Sequence, residues 1–395
     1  MSVLDSRLAP VLDDLRERSL YRVRRSVDGA HGVQMRVDGR DCINFCSNDY
    51  LGLASDPRLA AAAMRALDRS GTGSSGSALI SGYNTEHRAL EEELAAFLGR
   101  PRVLLFSSGW AANVGVLKAL LGRGDVVIAD ELNHASLIDG ARASGADYQR
   151  VAHADVDGYR AALQRAALDG RFAMLVADGV FSMDGDVADL PALRQLTHQT
   201  GAALMIDDAH GLGVLGATGR GSAEHFGIEP DVLMATMGKS LGCAGGLVAG
   251  SETLIEYLVQ RARTWVFSTA PPPAIAAAAR EALRIIRSEP ELRGRLLANI
   301  DRFVRGARDR GLPISERAVA TPIQPVIVHE DARALRLSRE LMERGYWVAA
   351  IRPPTVPRGT ARLRITLSAA HDAAQIDGLL DALAQSLTVL DQVNP

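Results

Sequence analysis

The sequence predicts an α/β fold, a mostly parallel sheet covered by helices, followed by a smaller α+β region at the C-terminal end. Three observations predict it. Apolar runs of strand length alternate with helical patterns from about residue 85 onward. The runs are apolar throughout rather than at every second residue, which is how strands buried on both faces read. The residues with chemical potential cluster just after those runs, where open α/β sheets place ligands.

In chain order, residues 1 to about 25 read as an amphipathic helix, with Leu4, Leu8, Leu12 and Leu15 at helical spacing, turning basic at Arg22, Arg24 and Arg25. Val33 to Phe45 reads as a β piece with a hairpin signal at Asp38-Gly39, and SNDYLGL (Ser47 to Leu53) as a polar, aromatic loop before the helical DPRLAAAAMRALDR. Helices are expected at 85–99, 110–121, 134–144, 156–168 and 190–200, and strands at 102–107, 125–129, 148–152, 172–178, 202–207 and 231–237. Leu247 to Gly250 follows the last of these by a tight turn, so it reads as an antiparallel addition. The prolines of FSTAPPP (Phe267 to Pro273) cannot sit inside a sheet or helix and mark a boundary. Beyond it come helices 275–288 and 291–310, strand 324–328, helix 332–345, strands 347–351 and 362–366, and helix 373–388. The expected division is 1–50 as N-terminal helix and arm, 51–273 as a large α/β domain, and 274–395 as a small α+β domain.

At 395 residues, 47% hydrophobic and 23% charged, the composition is that of a globular protein with a sizeable core. A net charge of -3 without a basic block argues against nucleic-acid binding. The three cysteines lack zinc-type spacing and suit a reducing compartment. No apolar run approaches membrane length and no signal-like segment opens the chain, so a cytoplasmic location is expected.

The chain carries 44 Lys+Arg, of which Lys118 and Lys239 are the only lysines. Arginine serves on most solvated surfaces, but only lysine loses its proton readily enough to form a Schiff base. Lys239 stands in TMGKSLG after an apolar strand, which suggests a lysine that carries pyridoxal phosphate. A P-loop needs a glycine six positions before the lysine, and Leu233 stands there. Two matches to G-x-G-x-x-G, at Gly71 to Gly76 and Gly211 to Gly216, lack the strand-before, helix-after context of a dinucleotide site.

A pyridoxal phosphate site also needs an acid for the pyridine nitrogen, a phosphate cradle and a group over the ring. Asp207 and Asp208 close a strand, with His210 following; alternation favours Asp207 facing the site, although such a pair alone also caps loops. Ser107, Ser108, Gly109 and Trp110 follow a strand and open a helix, an anion site or an ordinary serine cap. His134 in LNHAS stands at a helix start, either over the ring or as a neutral capping histidine. Ser182 in GVFSMDG follows a strand without the elbow of a hydrolase nucleophile.

SNDYLGL, FSSGWAAN, NHAS, GVFSMDGD, IDDAHGLGVLG, TMGKSLG and IRPPTVPRGTARLRIT occur in order over nearly the whole chain. Together they resemble the α-oxoamine synthases, fold-type-I PLP-dependent transferases, and most closely the branch that makes 8-amino-7-oxononanoate in biotin biosynthesis. The resemblance implies that Lys239, His134, Asp207 and His210 are catalytic. Lys239 would hold pyridoxal 5'-phosphate, Asp207 its pyridine nitrogen, His134 its ring face, and His210 and Ser182 its phenolic oxygen side. Gly109, Trp110 and Thr236 would bind its phosphate, with Ser268 and Thr269 supplied by the second subunit of a homodimer. Arg364 would clamp the amino-acid carboxylate with Asn48 nearby, and Arg22 and Thr355 would contact substrate. The implied reaction is the decarboxylative condensation of L-alanine with pimeloyl-CoA or a pimeloyl-carrier protein. The alternative is a glycine-condensing relative such as glycine C-acetyltransferase. Arg22 could receive a distal acyl carboxylate, or it could belong to a solvated basic face. Trp110 stands where Phe or Tyr is expected, and Ala78 where many relatives carry Arg or His.

Overall fold

The computed structural model describes residues 2–393, with side chains through residue 390. Its strands are β1 (Val27–Asp28), β2 (Gln34–Val37), β3 (Arg40–Asn44), β4 (Arg102–Phe106), β5 (Val126–Asp130), β6 (Asp147–Val151) and β7 (Ala173–Asp178), followed by β8 (Ala203–Asp207), β9 (Val232–Thr236), β10 (Gly246–Gly250), β11 (Ile323–His329), β12 (Tyr346–Trp347), β13 (Ala349–Ile351) and β14 (Ala361–Thr366). Contacts group the chain into two compact units, one of residues 48–182 and 186–294, the other of residues 1–47, 183–185 and 295–395.

The larger unit is built on a seven-stranded sheet in the order β4-β10-β9-β8-β7-β5-β6. The pairings among β5 to β9 are parallel. β10 runs antiparallel to both β4 and β9, as its tight approach from the Lys239 loop suggested. β5, β7 and β10 are buried at every position. On one face Phe106, Val127, Val176, Met205 and Val248 pack with Val116 and Leu117 of helix Gly109–Leu120. Leu117 is fully buried there, so Leu117→Ala is expected to lower stability by ~2–5 kcal/mol in chemical denaturation. Helix Pro273–Ser288 starts directly after Pro271 and Pro272 and lays Ala274 and Ala277 against Ala66 of helix Pro57–Ser70.

The smaller unit holds two sheets, β1-β2-β3-β12 and β11-β14-β13, with helices Asp331–Glu343 and Ala373–Val393. The single strand expected at 347–351 is two strands. β12 pairs in parallel with β3, while β13 pairs antiparallel with β14. Buried Val348 stands between them, and its carbonyl accepts the Ser338 hydroxyl at 2.6 Å instead of a ladder bond. The N-terminal helix, expected to about 25, is Val3–Glu17. Ser19 takes a left-handed φ of 56°, and the N–H groups of Leu20 and Tyr21 turn back to the Leu15 carbonyl, which ends the helix before the basic run.

Most other expected elements lie within two residues of their expected bounds; the last helix runs on to Val393. Helices Glu252–Arg261 and Arg263–Val266 are additional. The first was legible: Ser251 caps it by accepting the Leu254 N–H, and Ile255 and Leu258 enter the core. Among the described residues no helix is long and apolar enough to cross a membrane.

Candidate active site

Five strands of the larger unit end at one cavity of about 160 Å³. It gathers Gly109, Trp110, His134, Ser182, Asp207, His210, Thr236 and Lys239, eight of the residues singled out from sequence, from loops separated by up to 130 positions.

Lys239 is half-buried on a loop stapled by backbone bonds, from Gly242 N–H to the Lys239 carbonyl at 2.8 Å and from Cys243 N–H to the Met237 carbonyl at 2.9 Å. Thr236 braces the same loop, its hydroxyl donating to the Gly245 carbonyl at 2.8 Å and accepting the Gly238 N–H at 3.2 Å. A phosphate held by Thr236 would therefore compete with Gly245 for its one proton.

Lys239 Nζ lies 2.7 Å from His210 Nε2, and His210 Nδ1 lies 2.6 Å from the hydroxyl of Tyr50. Tyr50 in turn donates to Asn48 Oδ1 at 3.2 Å. With the tyrosine proton directed to Asn48, Tyr50 accepts from His210 Nδ1–H, and His210 Nε2 is left as the acceptor for the lysine amine. Tyr50 is fully buried and was missed from sequence, although it stands two residues after Asn48 in the same motif. Its partner is 160 positions away, a distance no spacing rule spans. Tyr50→Phe should keep the fold and lower kcat by ~10–100-fold, as loss of an orienting partner does; steady-state rates against pH would show it.

Asp207 is buried, and both carboxylate oxygens accept: Oδ1 from the Ala209 N–H at 3.0 Å and Oδ2 from Asn113 Nδ2 at 2.7 Å. Across the ladder stands Asp178, which accepts the His134 N–H at 2.7 Å. Burial, and then the negative charge of Asp207, push the Asp178 carboxyl well above the usual range. Asp208 turns away and accepts the Ser222 N–H at 2.8 Å. Burial raises it to about 7. A Cβ on Gly211 or Gly221 would come within 1.9 or 1.8 Å of its oxygens, which explains glycine at both positions in structural terms.

His134 is the N-cap of helix Ala135–Ser144. Desolvation lowers its imidazole pKa, Asp207 opposes that, and the Lys239 charge adds to the lowering, so the ring is neutral near pH 7.

At the opposite wall Ser108 caps helix Gly109–Leu120 by accepting the Ala111 N–H at 3.1 Å. The first intrahelical bond is made by Ala112, to the Ser108 carbonyl, so the N–H groups of Gly109 and Trp110 precede the ladder and suit an anion. Gly246 permits this turn, since its Cβ would meet the Ser108 carbonyl oxygen at 2.6 Å.

Ser268 and Thr269 line a different cavity, with Tyr83 and His87, and do not join the Lys239 cavity within one protomer. In the smaller unit Arg22 donates to the Thr355 hydroxyl at 3.3 Å, and Arg364 is buried on β14.

The loop after β7 is anchored by a further histidine. His153 Nδ1 meets Asp130 at 3.0 Å and Nε2 meets Asp186 at 2.8 Å, so both nitrogens face carboxylates. The Asp130 and Asp186 bonds, against desolvation, push the imidazole up to about 10. Above the unfolded pKa of about 6.5 the unfolded chain has released a proton that the folded chain keeps. This stability is therefore complete below that pH and lost as pH rises toward about 10. The melting-temperature gap between wild type and His153→Gln should narrow over that window.

A protein-family model described as aminotransferase class I and II matches residues 40–383. Over 382 residues the chain is 54% identical to the 8-amino-7-oxononanoate synthase of Methylococcus capsulatus, covering 96% of this chain and 98% of that protein. It is 50% identical over 380 residues to the protein of the same name from Nitrosococcus oceani, covering 95% of this chain and 100% of that one. Among solved structures, a serine palmitoyltransferase variant from S. paucimobilis with a bound PLP–myriocin aldimine matches with a TM-score of 0.93 at 28% identity, covering 99% of this chain and 100% of that chain. The 8-amino-7-oxononanoate synthase of Francisella tularensis matches with a TM-score of 0.77 at 30% identity, covering 89% and 99%.

Proposed function

The chain belongs to the aminotransferase class I and II family, and from that premise we propose that it condenses L-alanine with a pimeloyl thioester to give 8-amino-7-oxononanoate, CO2 and the free thiol in biotin biosynthesis. The observation that carries this reading is the near full-length identity to relatives of that name.

The residues at the cavity fit pyridoxal 5'-phosphate: a buried carboxylate with two donors, an amine, a helix start with early N–H groups, and an imidazole lie around one space. Lys239 Nζ would hold its carbonyl carbon, Asp207 its pyridine nitrogen, and Ser182 and His210 its phenolic side. His134 would cover the ring. Gly109, Trp110 and Thr236 would hold the phosphate. When bound, the cofactor supplies an electrophilic carbon and a ring that accepts the electron pair released at the substrate Cα.

This chain's part is to bind, orient and move protons. Lys239 Nζ takes the Cα proton of L-alanine and later returns one to the same carbon. His210 Nε2 receives a hydrogen bond from that amine and keeps it aimed, with Tyr50 and Asn48 holding the imidazole. Arg364 would fork onto the alanine carboxylate, with Asn48 beside it. Arg22 and Thr355 would receive the acyl chain, and the Arg22 guanidinium suits the far carboxylate of a pimeloyl group.

The reading includes a cytoplasmic homodimer. Two observations support the dimer: Ser268 and Thr269 lie outside their own protomer's Lys239 cavity, and Leu4, Leu8, Val11 and Leu12 are exposed along one helix. The test is a product assay crossing L-alanine and glycine with pimeloyl and acetyl thioesters. The highest kcat/KM is expected for alanine with pimeloyl; preference for glycine with acetyl would overturn the reading.

A further inference from the structure

Among the buried polar residues at the Lys239 cavity are Asn113 and Ser136, 1% and 0% exposed, to which the mechanism above gives no role toward His134. We propose that they are positioning residues that hold His134 as the neutral tautomer with its proton on Nε2.

The argument runs outward from Asp207. Its Oδ2 is a carboxylate oxygen and can only accept, so the group facing it at 2.7 Å must be the amide nitrogen of Asn113. The opposite amide orientation would set oxygen against oxygen. The same nitrogen reaches the Ser136 hydroxyl oxygen at 2.8 Å, which uses its second proton. Asn113 Oδ1 is left buried without a partner, and the opposite orientation would leave the NH2 group in that place while setting oxygen against the carboxylate. The unpaired oxygen is thus the mark of an amide whose direction is imposed.

Ser136 Oγ, accepting from Asn113, has one proton to give, and His134 Nδ1 lies 2.7 Å away. The Ser136 backbone N–H approaches the same nitrogen at 3.3 Å. Two donors converge on Nδ1, so Nδ1 carries the lone pair and Nε2 the proton. The cavity then meets an N–H from His134 rather than a base. Such a group can donate to a carboxylate or carbonyl oxygen and cannot take the Cα proton, which leaves that task to Lys239. The use made of this N–H rests on the function proposed above; the tautomer does not.

The test is nitrogen-15 NMR of histidine-labelled protein at neutral pH, in cofactor-loaded and cofactor-stripped forms, with His134→Asn identifying the signal. The expected pattern is a protonated Nε2 and a bare Nδ1 in both forms. Ser136→Ala should disturb that pattern and lower kcat by ~10–100-fold, while Ser136→Thr keeps it. A proton on Nδ1 in the wild type, or an unchanged pattern in Ser136→Ala, would overturn the proposal. If the alanine variant does not fold, the wild-type pattern decides alone. Since no substrate is present, failure here is distinct from failure of the alanine and pimeloyl assignment.

Discussion

Lys239→Ala is expected to fold normally and, on its proposed roles as general base and covalent anchor of the cofactor, to lose turnover by ~10^4-fold or more. The fold should survive because the loop is held by main-chain bonds of Met237, Lys239 and Cys243 and by the Thr236 hydroxyl, none of which uses the lysine side chain. The variant also frees His210 Nε2 from its 2.7 Å partner without changing the Tyr50 contact on the other nitrogen. Circular dichroism and melting temperature should stay near wild type while kcat collapses. A variant within tenfold of wild-type kcat would remove Lys239 from the chemistry.

Asp207→Asn carries the second large effect. The carboxylate accepts from Ala209 N–H on one oxygen and from Asn113 on the other. An amide offers only one oxygen, so one of these donors would face an NH2 group. That mismatch should cost ~1–3 kcal/mol of stability. Loss of the charge proposed to face the pyridine nitrogen is the larger matter, with turnover expected to fall by ~10²–10³-fold, the scale for one lost preorganised electrostatic partner. Asp178 should also respond, because the Asp207 charge is the second cause of its raised pKa. Cofactor titration and steady-state rates separate weaker binding from slower chemistry.

Much of this site was legible because its residues follow strands. Continuous apolar runs mark parallel strands, and each run ends in the short polar stretch that carries His134, Ser182, Asp207 or Lys239. The scarcity of lysine, with only Lys118 and Lys239 among 44 Lys+Arg, drew attention to Lys239 independently of that pattern. What escaped were relations that depend on three-dimensional approach. Tyr50 reaches His210 across 160 positions, and Asn113 reaches Asp207 across 94. No periodicity encodes either contact. Residues 347–351 read as one strand because β propensity does not register that the chain changes sheets at Val348. The N-terminal helix ends at Glu17 rather than near residue 25, because nothing in the composition announces the left-handed Ser19. The turn of π-helix at Ala78–Gly82, after the misleading GTGSSG, has no sequence signature of that kind.

The central claim is that Lys239 is the residue that carries the cofactor. The most direct measurement is borohydride reduction of the cofactor-loaded protein followed by peptide mapping. The account predicts a pyridoxyl group on the peptide containing Lys239 and none on that containing Lys118. A pyridoxyl group elsewhere, or on no peptide at all, would contradict it.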